Sequence, residues 1–547
     1  MKKVSLVTAT IVAAVGSVLG TLAACGSSST SPGPGANAGD GGLLADGGVT
    51  NLFGGDGSSN NGGDGSTGPC TGLQCQIHSC AGVTTGTTVT GHVYDPAGNN
   101  PLYNVVVYVP NTTVDPLPAA PTNECGSCNS LYSGQPVAAG ITDPTGKFTM
   151  NNAPDGDNIP LVVQIGKWRT QMVIPKITSC GTGDANNLDK VLSAKITLPG
   201  IAGISAIDGP TKGLQQDIPE IAISTGGADS LECLLRRIGV SGNEYTSGVG
   251  GTGHIHIFQG AGAMGNGGRP SAQMSGGATP ASPQHLWDKG GDMSPYDIVI
   301  LSCEGQETSS DTPDGGLSTA DETALQQFTA AGGRAFLSHF HYAFLDRGPF
   351  ASPPLAAWSA GARPIEDKNG APDTTMGDIV QTLGSGGKFA KGEAFYQWLG
   401  TTNSLIGTQL PIVEAKENAL VTAANTASQA WITADKNAVS EDNNQTSAAG
   451  TTEYFTFDTP IGGIGTDDAG APIYCGRVVY SDLHVGAASG DYNNGSDPQP
   501  TVPSGCANNP LSPQEKALEF MLFDLSSCVT PDTGPSQGPP PIIVPVK

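Results

Sequence analysis

The chain has 547 residues, 78 of them Gly, with 6% aromatic and 13% charged residues and a formal net charge of −25. So acidic a surface repels phosphate backbones and excludes nucleic acid as a partner. Twelve cysteines in such a loop-rich chain point to disulfides and an exported protein rather than a compact cytosolic enzyme.

The chain opens with Met1, Lys2 and Lys3, runs apolar from Val4 to Leu19, and reaches Leu22-Ala23-Ala24 directly before Cys25. A charged start, a short apolar stretch and small residues at a cleavage point make residues 1–24 a signal peptide. The apolar stretch falls short of the roughly 20 residues that span a bilayer. Cys25 stands where a bacterial lipoprotein carries its acyl chains, and Gly26-Ser27 after it, with no Asp, fits outer-membrane sorting. The expected location is the outer membrane, facing the periplasm or the cell surface, with the membrane as partner through the lipid. Residues 25–69 continue as Gly, Ser, Asn and Asp with hardly an apolar anchor, a stalk that cannot offset its ordering entropy. Residues 531–547 form a Pro-rich tail of the same kind.

Residues 70–200 are Cys-rich and read as all-β. Thr88–Tyr94 alternates, Asp95–Gly98 turns, Tyr103–Val109 is a buried strand, and Gly140–Met150 places a turn between two short strands. The Val89-x-Gly-x-Val-x-Asp start, the Pro101–Val107 run and the Thr142-Asp-x-x-Gly-Lys-Phe-Thr turn resemble the carboxypeptidase regulatory-like domain. That resemblance implies a transthyretin-like β-sandwich, a carbohydrate-binding-like fold that usually serves as a spacer or stabilising module.

From residue 215 to 530 the pattern changes. Ile218–Ser224, His254–Phe258, Tyr296–Leu301, Arg334–Ser338 and Arg477–Ser481 read as strands, and Ser230–Ile238, Thr319–Ala331 and Pro513–Leu525 as helices. Near-continuously apolar strands alternating with helices predict a doubly wound α/β sheet. Tyr296–Leu301, Phe328-x-x-x-Gly-Gly-Arg-Ala-Phe-Leu-Ser-His and Gly476-Arg-Val-Val-Tyr-Ser-Asp-Leu-His resemble the class I glutamine amidotransferase-like fold, and its ThuA-like branch in particular. Residues 350–470 interrupt the match as a long insertion. The expected architecture is therefore multidomain, a β-sandwich followed by an amidotransferase-like α/β domain.

Ligands of open α/β sheets bind beyond the carboxyl ends of the strands. The polar residues there are Gly226 and Gly227 after Thr225, Ser302, Cys303 and Glu304, His339 and His341, and Asp482 and His484, with Gln306 and Glu307 close by. His339 stands where the amidotransferase resemblance would put a nucleophilic Cys, so the glutaminase triad is absent. Cys303 beside Glu304 is a weak candidate nucleophile. The cysteine count bears on it: without Cys25, eleven remain, six of them (Cys70, Cys75, Cys80, Cys125, Cys128 and Cys180) able to close three bridges. Among the other five, Cys233 with Cys303 and Cys475 with Cys528 are the expected pairs, leaving Cys506 over, with a free Cys303 as the alternative.

His339 and His341 lie two apart, so on an extended segment they point the same way. With His484, and with Asp482 as a substitute, they would supply the three ligands of an open zinc site. The Gly226-Gly227 turn is read as a tight strand-to-helix turn, with an anion cradle as its alternative. Two functions stand on these residues. One is a non-catalytic binding module, without cofactor, engaging envelope carbohydrate or protein. The other is a metal-assisted hydrolase using zinc or another divalent ion on His339, His341 and His484.

Overall fold

Val89–Tyr94 alternates buried and half-buried residues along its length, while Val106–Pro110 is buried throughout. These two patterns mark one strand covered on a single face and one covered on both. In the computed structural model, which describes residues 70–532 apart from short stretches (261–272, 306–316 and 489–500 are the longest), they belong to two sheets. Val89–Tyr94 sits centrally between Lys147–Met150 and Ile196–Thr197. Val106–Pro110 lies in a six-stranded sheet with Pro136–Ile141, Gly156–Ile165, Trp168–Ile177, Gln215–Asp217 and Gly203–Ile204. Local chemistry explains the turn read from sequence. Asp143 Oδ1 accepts from the amides of Thr145 and Lys147, and Gly146 takes φ +77°, a conformation that suits Gly. Cys25, the stalk and the tail beyond Asp532 lie outside the described residues.

The largest sheet has ten strands. Six run parallel, in the spatial order Tyr245–Ser247, Ile255–Phe258, Ile221–Ser224, Ile298–Leu301, Arg334–Ser338 and Gly476–Ser481. Four antiparallel strands continue it: Thr452–Thr459, Ser428–Ala434, Thr374–Ile379 and Gln409–Val413. All four come from the segment expected as an insertion, and they extend the sheet.

Helices are few. Thr319–Ala330 opens with a capping box of Ser318 and Asp321, and Pro513–Ser526 with one of Ser512 and Glu515. Leu325 and Phe328 of the first pack in one core cluster, and Leu518, Met521 and Leu522 of the second in another. Between Ile221–Ser224 and the next strand, only Leu234–Arg237 is helical where a full helix was expected. The molecule is thus β-rich, with several sheets. The regular strand–helix alternation of a doubly wound domain is not what it has, because strand pairing with the 350–470 segment takes the place of further crossover helices.

One hydrophobic core runs from the N-terminal sheets into the large one. Val89, Val107 and Trp168 share a cluster with Ile221, Trp398 and Met521. Tyr103 stacks on Phe520 at 5.7 Å, and the Trp398 indole donates to the carbonyl of Pro101 at 2.6 Å. At the same contact, buried Asp95 faces Glu519, which also accepts from Asn100 Nδ2 at 2.6 Å.

Burial pushes Asp95 up to about 6, against hydrogen bonds from Asn99, Asn100 and Glu519. Burial and then Asp95 itself hold Glu519 well above the carboxylate range. Folded values above unfolded ones give a stabilisation complete below about pH 4 and lost as pH rises through about 6. Urea unfolding should therefore report a stability on the order of 2 kcal/mol lower at pH 7.5 than at pH 4.5 from this pair. Glu519→Gln should flatten that dependence, and an unchanged slope would rule the pair out as its source.

Four disulfides close the described part: Cys70–Cys75, Cys80–Cys180, Cys125–Cys475 and Cys233–Cys506. Cys528 is bonded as well. They match an oxidising, extracellular-like environment. The expected pairs are corrected: Cys233 joins Cys506 and not Cys303, and Cys475 joins Cys125 and not Cys528. Pairing within each half fails because the two regions share one core, which brings distant cysteines together. Cys303 is free and buried. Among the described residues no helix is long and apolar enough to cross a membrane.

Candidate metal centre

Three adjacent parallel strands, Ile298–Leu301, Arg334–Ser338 and Gly476–Ser481, end side by side. Just beyond their carboxyl ends stand Cys303, His339 and His484, all buried. One ligand atom from each lies within 4.8 Å of the other two. Cys303 Sγ is 3.5 Å from His339 Nδ1, and His339 Nδ1 is 3.2 Å from His484 Nε2. A tetrahedral zinc with Zn–S of about 2.3 Å and Zn–N of about 2.0–2.1 Å would space sulfur and nitrogen by about 3.5 Å and two nitrogens by about 3.3 Å. This group of three could hold a metal ion.

Hydrogen bonds on the far side of each ring fix which nitrogen faces inward. Asn418 Nδ2 donates to the carbonyls of Ser359 and Gly361, so Asn418 Oδ1 is left to accept from His339 Nε2 at 3.1 Å. His339 Nδ1 then carries its lone pair toward Cys303. His484 Nδ1 donates to Glu414 Oε2 at 2.8 Å, which turns Nε2 toward the same point. A carboxylate or carbonyl behind each metal-facing imidazole is the outer shell that metal sites use. His339 (φ +39°) and Glu414 (φ +57°) both adopt left-handed backbone, a strained state in non-Gly residues that concentrates at functional sites.

Burial opposes a charged His484, yet the neighbouring Cys303 sulfur and then Glu414 outweigh it and push the imidazole up to about 10. Burial, followed by His484 and Lys416, holds His339 well below the usual range.

The other predicted residues take different places. His341 does not join the centre. The segment after Ser338 is a 3₁₀ helix, His339–Phe344, in which residues two apart diverge, instead of the extended run that would have aligned them. The Nδ1 of His341 meets the Ser338 carbonyl at 3.2 Å, and burial pushes its imidazole down to about 4. Asp482 accepts from the amides of Asn418 and Ala419 and from the Tyr480 hydroxyl at 2.7–2.9 Å. It braces the Asn418 segment and is not one of the converging ligands. Ser302 and Glu304, both buried, flank Cys303 and contribute no atom to the group. Gln306 and Glu307 lie outside the described residues.

Gly226 and Gly227 form a tight turn, not an anion cradle: the amides of Ala228 and Asp229, which follow, donate to the Cys303 carbonyl at 3.1 Å. A Cβ at Gly226 would stand 2.2 Å from that carbonyl oxygen. Gly226→Ala should cost about 1–3 kcal/mol by overpacking, read by urea denaturation. A neutral result would mean that the turn can move away from Cys303.

Sequence reasoning missed Glu414, Asn418 and Asp229. Glu414 and Asn418 belong to a polar run, Glu414–Asn418, whose spacing carries no metal motif.

No family model and no curated protein matches the chain. Among solved structures, a 9R-lipoxygenase from Cyanothece PCC8801 is similar at 14% identity over 23% of this chain, with a TM-score of 0.12. The chain spans 19% of that protein's length, and so slight a likeness carries no argument.

Proposed function

We propose that this chain is a cell-envelope lipoprotein whose working part is a metal centre on Cys303, His339 and His484. These three side chains would hold zinc or a divalent metal of similar softness. The observation that carries this reading is the convergence of three ligand atoms whose two imidazoles are each held from behind, by Asn418 and by Glu414. When bound, such an ion would supply Lewis-acid chemistry, which makes metal-assisted hydrolysis the fitting reaction class. The chain's own part is to fix the ring orientations and to keep the sulfur as a ligand. Cys303 stands as the third ligand where His341 was expected. The disulfide-bearing fold agrees with an exported location, where a lipid on Cys25 would anchor the chain. The N-terminal sheets support a transthyretin-like sandwich.

Elemental analysis of the purified full chain tests this reading. One metal per chain is expected, lost in Cys303→Ser and in His484→Ala. A chain that binds neither zinc nor cobalt, or variants that keep their metal, would overturn it.

A second reading is non-catalytic engagement of envelope carbohydrate. It rests on a cavity of about 760 Å³ lined by Gln215, Glu220, His254, Tyr296 and Asp297 among others. Those are groups that hydrogen-bond a polyol. Glu220→Gln should weaken polysaccharide binding in a pull-down with envelope glycans, and failure of the wild-type chain to be retained would end this reading.

A further inference from the structure

Each ligand of the proposed centre stands on a separate loop, after a separate strand, so something must hold the three loops in one arrangement. The Asp229 backbone amide donates to the carbonyl of Cys303 at 3.1 Å. Its carboxylate Oδ2 accepts from the hydroxyl of Ser338, the residue before His339, at 2.6 Å. The same oxygen accepts from the amide of Val485, the residue after His484, at 3.1 Å. Oδ1 accepts from the Gly486 amide at 2.6 Å. Asp229 is wholly buried, and a Cβ on Gly486 would meet the Ser230 carbonyl at 2.8 Å, so this close approach requires Gly.

We infer that Asp229 is the positioning residue of the centre, a single buried residue that ties together the backbone at Cys303, His339 and His484. The inference rests on the metal reading above. Asp229 touches none of the three ligand atoms. It acts through the residues that carry them, as outer-shell groups do when they set ligand geometry. A buried carboxylate with three donors on it can be replaced by an amide only at a loss. Asn keeps one acceptor oxygen and presents an NH₂ where an oxygen stood, and neither the Val485 nor the Gly486 amide can turn round to accept.

The test uses the full chain and cobalt(II) and zinc(II) as probes. Wild type should give the visible absorption of tetrahedral cobalt. Asp229→Asn should bind zinc about 10–100-fold more weakly in chelator competition, with an altered cobalt spectrum. Trp398→Phe, a substitution at the distant Pro101 contact, should leave affinity and spectrum unchanged, which separates positioning from general destabilisation. If Asp229→Asn does not fold, Ser338→Ala removes one of the three carboxylate bonds and should still lower zinc affinity. Wild-type affinity and spectrum in Asp229→Asn, or unchanged affinity in Ser338→Ala where that variant is needed, would overturn the role of Asp229. A wild-type chain that binds neither ion overturns the metal reading itself, and the positioning role with it.

Discussion

A chelator should lower the unfolding midpoint of the purified wild-type chain, and Cys303→Ala should remove the difference. The expectation follows from mass action. An ion that binds only the folded chain adds about 2.7 kcal/mol at a concentration one hundred times its Kd. The three ligand atoms come from loops separated by 36 and 145 residues, measured from His339 to Cys303 and to His484, so the unfolded chain offers no equivalent site. Taking away the sulfur leaves two imidazoles, and affinity should fall by more than the roughly 10–100-fold that an outer-shell change costs. In Cys303→Ala the traces with and without chelator should coincide. A wild-type midpoint indifferent to chelator, in protein already shown to carry metal, would mean that the ion sits elsewhere.

Arg477→Met should destabilise the fold by about 3–5 kcal/mol, the loss expected when one partner of a buried ionic network is removed. Arg477 is 1% exposed. Its guanidinium meets Asp458, directly across the antiparallel pair, at 2.7 Å, Asp524 on the closing helix at 2.9 Å, and Asp532 at 3.0 Å. Lys391 Nζ stands 3.5 Å from Asp524 and 3.7 Å from Asp532, too distant to replace the guanidinium's forked bonds. Burial raises Asp458, Arg477 is the main influence opposing it, and the Asp532 charge adds to the rise. Without the arginine, Asp458 and Asp524 remain buried beside one lysine. Urea denaturation at pH 7 reads the loss. The double variant Arg477→Met/Asp458→Leu should recover part of it, since one uncompensated carboxylate goes. A loss below about 1 kcal/mol would show that water reaches these carboxylates.

What could be read from the sequence follows the range of the interactions involved. Apolar runs such as Ile298–Leu301 and the capping-box helices Thr319–Ala330 and Pro513–Ser526 are local, and they form where the pattern puts them. Cys303, His339 and His484 were legible as strand-end residues for the same reason. His341 misled because two-residue spacing aligns side chains only on an extended segment. Glu414 and Asn418 were not legible, since their position depends on Gln409–Val413 adding to the sheet by long-range antiparallel pairing. Asp229 resembled an ordinary turn residue, and its role arises only once three strand ends meet around it.

The bridge between Cys125 and Cys475 spans 350 residues of chain. A ribosome adds about 5–20 residues per second. Cys125 therefore waits roughly 20–70 s before its partner has even been made. Cys233 faces a similar delay over the 273 residues to Cys506. Once residue 303 has been made, the thiol of Cys303 is available as a wrong partner for both until their own partners follow. Correct oxidation must come late, or be reshuffled, and whatever conceals Cys303 early in biogenesis also protects the pairing of the others.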